Sequence, residues 1–249
     1  MPGSLANRLV QRLGGVVRVR PAQIACSGGA VSFSFDDFPK SALHTGGAIL
    51  EKYGLRGTYY AALGLAGSNG DVGPMAELED IRAAYDRGHE LGCHTYSHLD
   101  CSGAVDSVIL DDIRRNSEAF SALLDGFRPS NFAYPFGRHR LPARRLLTPR
   151  FASCRGTTGG SNHGTVDLSD LRATRIYGCN FDERAFRQLI ERNRTVGGWI
   201  VFYTHDVAAL PSPYGCTPSQ FETVVAYAAE RTTVVPLGQV IAGVTREAA

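Results

Sequence analysis

Two aspartates, Asp36 and Asp37, stand side by side where an apolar run stops. Ahead of them Val31, Phe33 and Phe35 alternate with Ser32 and Ser34, the period-two pattern of a strand buried on one face, and Pro39 breaks the chain just beyond. Two like charges this close repel unless a cation or different surroundings separate their roles. Further on, His94-Thr95-Tyr96-Ser97-His98 offers two imidazoles four residues apart, and Tyr203-Thr204-His205-Asp206 closes another apolar run. Asp37, His94 and His98 combine one hard oxygen with two borderline nitrogens, a donor set suited to Zn²⁺ or a neighbouring divalent ion with coordination positions left open. Such an ion lowers the pKa of a water and polarises a carbonyl oxygen. Asp36 then remains to take a proton and His205 to give one. The expectation is metal-assisted hydrolysis. Alone, an HxxxH pair is a weak signal, Asp36 reads equally as a helix-capping carboxylate, and His205 as a satisfied core imidazole. Their joint occurrence at element ends carries the reading.

These groups need a scaffold that brings strand ends together. Strand and helix signals alternate along the chain. A strand at 31–35 is followed by a helix over 41–53 closed by Gly54, a β-rich run at 58–63, and a helix over 75–87 closed by Gly88. A strand at 90–93 delivers His94. A long helix over 107–124 follows, with Val108, Ile109, Ile113, Phe120, Leu123 and Leu124 on its apolar side. Strands are expected at 132–134, 151–154, 172–177 and 199–203, and a helix at 182–192. Thr217-Pro218-Ser219-Gln220 combines an N-cap, a proline in the first turn and a capping-box glutamine, so a helix runs to about 230 before a last strand at 232–235. Alternation of this kind implies a parallel sheet, and seven or eight units over this length favour a barrel. Acids and imidazoles at strand C-terminal ends are then where barrel active sites are built. Residues 156–164, rich in Gly, Thr, Ser and Asn, read as a mobile loop.

Composition narrows the classes. The 249 residues are 43% hydrophobic, enough for one cored domain over 1–249, with 1–28 as an extension packed on it. A net charge of +2 is too small to imply a nucleic-acid partner, and none is expected. Arg138, Arg140, Arg144 and Arg145 form one basic cluster, suited either to an anionic group or to a solvated face. No transmembrane run occurs. Leu5, Leu9 and Leu13 with Arg8 and Arg12 suggest a short amphipathic helix for packing on the body or for peripheral membrane contact, and without an apolar leader the expected location is cytoplasmic. Six cysteines show no paired spacing, so free thiols are expected, Cys93 beside His94 serving as a small buried hydrophobe.

Ser34-Phe35-Asp36-Asp37, His94-Thr95-Tyr96-Ser97-His98, Tyr134-Pro135-Phe136-Gly137 and Tyr203-Thr204-His205-Asp206 together resemble the ordered motifs of the polysaccharide deacetylases, carbohydrate esterase family four with the NodB homology domain. The resemblance spans about 30–235. It implies a distorted (β/α)7 barrel and metal-dependent removal of an acyl group from a sugar. By it Asp36 is the general base, Asp37, His94 and His98 hold one divalent ion (Zn²⁺ first, then Co²⁺, Ni²⁺ or Mn²⁺), His205 is the general acid, and the Phe136 N–H helps hold the oxyanion. Tyr134, Pro135, Phe136, Trp199, Tyr203 and Tyr214 are the expected walls of an acetyl and sugar pocket, although each reads equally as core, Trp199 above all. In the family's third motif an arginine two residues before the proline pairs with the catalytic aspartate; here that position is Ala133, and Arg175 is the expected substitute. The fourth motif is unclear, with Asp167 and Asp170 as loose candidates for steering His205. The expected substrate is an N-acetylated sugar in a surface-polysaccharide, O-antigen, lipid-linked or nucleotide-linked precursor. A small-molecule amidase or deformylase, and a sugar-binding pseudoenzyme, are the alternatives.

Overall fold

The computed structural model describes residues 17–247; the amphipathic segment around Leu5, Leu9 and Leu13 lies outside them. Seven parallel strands form a curled sheet: β1 (Ala30–Phe35), β2 (Thr58–Ala61), β3 (Glu90–Cys93), β4 (Asn131–Ala133), β5 (Ser153–Arg155), β6 (Thr174–Arg175) and β7 (Trp199–Thr204). Their spatial order is β6-β7-β1-β2-β3-β4-β5. A short β8 (Thr233–Val234) pairs with the start of β1, whose far end pairs with β2. Between β5 and β6 the circle closes through a parallel bridge from Arg155 to Leu171, just ahead of β6. The fold is a distorted (β/α)7 barrel.

Helices α1 (Ala48–Lys52), α2 (Leu78–Asp86), α3 (Asp106–Leu123), α4 (Leu141–Leu147), α5 (Glu183–Thr195), α6 (Pro218–Arg231) and α7 (Leu237–Glu247) complete the body. A π-wound turn, Ala42–Gly47, leads into α1. The capping box predicted at Thr217 and Gln220 is present. Helix α2 begins later than its sequence pattern suggests because Glu77 and Asp80 cap each other, leaving Met75 to bridge Pro39. Val108, expected on the apolar side of α3, faces solvent. Helices α4 and α7 and a two-stranded antiparallel pair, Pro21–Ile24 with Gly164–Asp167, were not foreseen. That pair ties residues just before β1 to the loop expected to be mobile. Among the described residues no helix is long and apolar enough to cross a membrane.

Two cores meet at the strands. Phe33 and Phe35 of β1 and Phe202 of β7 pack outward against Phe186 of α5 and Phe221 and Val224 of α6. Trp199, Val201 and Tyr203 point the other way, into the barrel. Strand β1 is therefore buried on both faces, not one, as parallel barrels require. Its interior hydroxyls are satisfied: Ser32 donates to the Val235 carbonyl at 2.7 Å and Ser34 to that of Phe202 at 3.0 Å. Three arginines of the cluster are ion-paired, while Arg145 is exposed. Arg144 is buried against Asp167 at 2.5 Å, Arg140 pairs with Asp106 at 2.5 Å, and Arg138 reaches Asp100 at 3.4 Å. No disulfide joins any of the six cysteines.

Candidate active site

Every parallel strand ends on the same rim, so Asp36 and Asp37 after β1, His94 after β3, Phe136 after β4 and His205 after β7 converge although they are far apart in sequence. They line a cavity of about 560 Å³. One oxygen of Asp37, Oδ1, lies 3.4 Å from His94 Nε2 and 3.1 Å from His98 Nε2. One ligand atom from each of the three residues falls within 4.8 Å of the others. The His94 Nδ1–H donates to the Ala133 carbonyl at 2.8 Å, which fixes the tautomer and leaves Nε2 with its lone pair turned to Asp37. Asp37 Oδ1 itself is buried without a hydrogen-bond donor. A buried anionic oxygen facing imidazole lone pairs is a site built for a cation, and the donor set fits a zinc-like divalent ion.

The loops that present these ligands are held in uncommon backbone geometry. Asp37, Phe38, Thr95, His98 and Phe136 all have positive φ, between 57° and 65°. Such conformations cost energy in non-glycine residues and persist where the surroundings over-determine them. Helix α3 does this for the histidine loop. Its buried Asp112 accepts from the Tyr96 N–H at 2.8 Å, the Ser97 N–H at 3.0 Å and the Ser97 hydroxyl at 2.9 Å. One turn on, Asn116 accepts from the Leu63 N–H at 3.0 Å and donates to the Ala61 carbonyl at 3.0 Å, tying the end of β2 to the same helix. Neither residue was singled out from sequence; the only signal was a polar side chain on the inner stripe of an amphipathic helix. Cys93, just before His94, is buried with its thiol pushed up to about 11, which suits packing and not ligation.

Asp36 is paired by a residue the sequence did not suggest. The fully buried Arg155, at the end of β5, donates from Nη2 to Asp36 Oδ1 and from Nη1 to the Gly156 carbonyl at 2.9 Å. Its guanidinium lies between Tyr60 and Tyr203, 5.0 Å from each ring centre. Although burial alone would lower it, the Asp36 carboxylate beside it raises the Arg155 pKa. Arg175, the expected partner, does not fill this role; it is exposed at the end of β6 with its guanidinium 5.6 Å from the Tyr177 ring. The reason is register: Arg155 is the β5 residue directly opposite Ala133 of β4, so the guanidinium is supplied from the adjacent strand. An arginine just beyond the apolar run at 151–154 was the available sequence clue.

His205 is oriented by backbone. Its Nδ1–H donates to the Tyr214 carbonyl at 3.2 Å, and Nε2 faces Asp37 Oδ2 at 3.8 Å. Asp167 and Asp170, the loose candidates for steering it, are engaged elsewhere, with Arg144 and with His139. Asp206 instead shapes the loop that carries Tyr214, accepting from the Ser212 N–H at 2.8 Å and its hydroxyl at 2.5 Å. Gly215 closes this turn because a Cβ there would lie 2.2 Å from Asp206 Oδ1. Of the expected pocket walls, Phe136, Tyr203 and Tyr214 line the cavity, the Phe136 ring tilted at 59° with its centre 4.4 Å from that of His98 and more than half exposed. Tyr134 and Pro135 are buried behind it, Tyr134 donating to the Ser169 carbonyl at 3.0 Å. Trp199 is no platform. It opens β7 at the opposite end of the barrel, four residues and therefore roughly 13 Å below Tyr203, and donates to Ser32 Oγ at 3.0 Å.

Comparison with known proteins bears on the family and the fold. A chitin deacetylase from Arthroderma benhamiae is 31% identical over 110 residues, which are 43% of this chain and 28% of that protein. A gellan lyase from a Bacillus species is 26% identical over 134 residues, only 5% of its length, so the chain spans a minor part of these relatives. In fold it is similar to the chitin deacetylase of Colletotrichum lindemuthianum, with a TM-score of 0.58 at 18% identity over 90% of this chain and 92% of that one. A carbohydrate esterase family four pseudoenzyme from Bacillus anthracis is also similar, with a TM-score of 0.55 at 13% identity over 86% and 65% of the two chains. The family model for polysaccharide deacetylase matches residues 25–148. With the motif residues gathered on one barrel rim, the chain belongs to the polysaccharide deacetylase family.

Proposed function

We propose that this protein is a metal-dependent hydrolase that removes an N-acetyl group from a sugar, with a lipid-linked or nucleotide-linked glycan precursor as its substrate. The observation that carries the reading is the Asp36–Arg155 pair set beside the Asp37–His94–His98 cluster, with His205 Nε2 3.8 Å from Asp37 Oδ2 in the same cavity. The ion supplies Lewis-acid polarisation of the acyl oxygen and an acidified water. Arg155 occupies one Asp36 oxygen and orients the carboxylate, so the other oxygen is the one that takes a proton from the attacking water. His205, with Nδ1–H committed to the Tyr214 carbonyl, acts as the imidazolium, passing its Nε2 proton to the departing amine and ending as the neutral ring. The tight turn at Phe136 brings a backbone N–H to the rim as a donor for developing negative charge on oxygen. Phe136, Tyr203 and Tyr214 provide aromatic walls against which an acetyl group and a pyranose face pack.

The test is elemental analysis of the purified chain followed by a screen of N-acetylated sugars and small amides for released acetate or formate. One divalent ion per chain and acetate from a sugar substrate support the reading. Release from simple amides alone would favour an amidase. Metal binding without any turnover would place the chain with pseudoenzymes such as the Bacillus anthracis relative.

A further inference from the structure

Next to the catalytic cavity lies a second cleft, of about 330 Å³, lined by Thr174, Arg175, Tyr177, Asn180, Asp182 and Arg192 among others. The two share Arg175 and Tyr177. Resting on the proposed deacetylase reading, we propose that this cleft binds an anionic group of the substrate, a phosphate or a sugar carboxylate, held by Arg175 and Arg192 while the acyl group sits beside His205.

Three observations converge. Arg175 and Arg192 are exposed, and among the described residues neither is ion-paired, although nearly every other arginine near the rim is: Arg155 with Asp36, Arg138 with Asp100, Arg140 with Asp106. Against these two cations the cleft sets one carboxylate, Asp182, whose Oδ1 already accepts from the Ala185 N–H at 3.1 Å as the cap of α5. The local charge is therefore positive. Secondly, Arg175 is pre-positioned. Its guanidinium carbon lies over the Tyr177 ring, 5.6 Å from the ring centre, and among the described residues its N–H groups make no hydrogen bond or ion pair within the protein, so they are available for bidentate capture of a phosphate or carboxylate. Thirdly, the support is continuous with the site. The Tyr177 ring centre lies 5.9 Å from that of His205, 5.7 Å from that of Tyr203 and 6.1 Å from that of Tyr214. An anion on Arg175 is thus next to the group undergoing hydrolysis.

The experiment compares acetate release from N-acetylglucosamine, N-acetylglucosamine 1-phosphate and N-acetylmuramic acid by the metal-loaded full chain and by Arg175→Gln, Arg175→Lys and Arg192→Gln. A charged hydrogen-bonded contact of this kind is worth roughly 10- to 100-fold. The wild-type kcat/KM for at least one anionic sugar should exceed that for the neutral sugar by about that factor. Each glutamine variant should collapse the anionic-to-neutral ratio toward one, mainly through KM, and Arg175→Lys should retain part of it. Preference for the phosphate alone identifies a phosphorylated substrate; equal preference for the carboxylate identifies an acidic sugar. A wild-type ratio near one, or a ratio untouched by both glutamine variants, overturns the proposal. If no sugar is hydrolysed, the deacetylase reading fails separately, and the cleft is judged by calorimetry with N-acetylglucosamine 1-phosphate. Binding weakened about tenfold in Arg192→Gln upholds it, and equal binding by both proteins refutes it; the metal site is common to the two, so only their difference counts.

Discussion

Replacing Arg155 by methionine tests the least expected part of the site. The side chain is fully buried, Asp36 is nearly so, and their ion pair is enclosed by Tyr60 and Tyr203. Methionine keeps most of the aliphatic length between the two rings, so the change removes charge more than volume. It strands Asp36 as a buried carboxylate without its cation, and breaking such a pair costs about 3–5 kcal/mol. For a chain of this size each kcal/mol moves Tm by about 2–4 °C, so the loss should be about 6–20 °C. Asp36→Asn strands the guanidinium instead and should cost a similar amount. The double variant Arg155→Met with Asp36→Asn leaves no buried charge and should regain a large part of the stability, giving a coupling energy of about 2 kcal/mol or more. Denaturant titrations of all four proteins at one metal concentration supply the cycle, and acetate release should be lost in every variant. Purely additive losses, or a stable and active Arg155→Met protein, would refute the assignment of Arg155 as the partner of Asp36.

Asp112→Ala should loosen the turn that presents His94 and His98 and weaken metal binding by about 10- to 100-fold, measured by competition with a chelator; a fall in Tm at unchanged metal affinity would make Asp112 a packing residue only. Asp36→Asn and His205→Ala should both retain metal and lose about 10²- to 10⁴-fold in amide turnover, while an acetyl ester with a good leaving group restores His205→Ala far more than Asp36→Asn. Equal loss on both substrates would show that His205 only shapes the cavity. Trp199→Phe removes the bond to Ser32 and should cost about 1–3 kcal/mol with KM for the sugar unchanged, whereas a raised KM would return Trp199 to the pocket. Asp167 is raised by burial but held below the ordinary carboxylate value of 3.8 overall by Ser169 and the N–H groups of Arg20 and Val19. Its contribution is present above that pH and lost as pH falls through the lowered value, so Asp167→Asn should flatten this part of the acid limb in pH-dependent unfolding; an unchanged limb would assign the acid sensitivity to other carboxylates.

What the chain determined without its fold was the set of chemical groups and where along each element they fall. Alternating apolar residues ending in Asp36-Asp37, a strand running into His94, and an apolar run ending at His205 are local patterns, and local backbone preferences suffice to place such residues at strand ends. The capping box at Thr217 is local in the same way. Tertiary structure decided everything that depends on which strands lie side by side and at what register. Arg155 reaches Asp36 because β5 lies against β4 with Arg155 opposite Ala133, a relation between residues with no sequence spacing to betray it. Trp199 and Tyr203 share one face of β7, yet only the direction of that strand through the barrel puts Tyr203 at the site and Trp199 at the closed end. Asp112 and Asn116 read as polar lapses on an apolar stripe until α3 docks over the loops whose N–H groups they satisfy. Strand pairing and helix docking are long-range events that join groups from distant parts of the chain, so the identity of a partner is a property of the folded barrel.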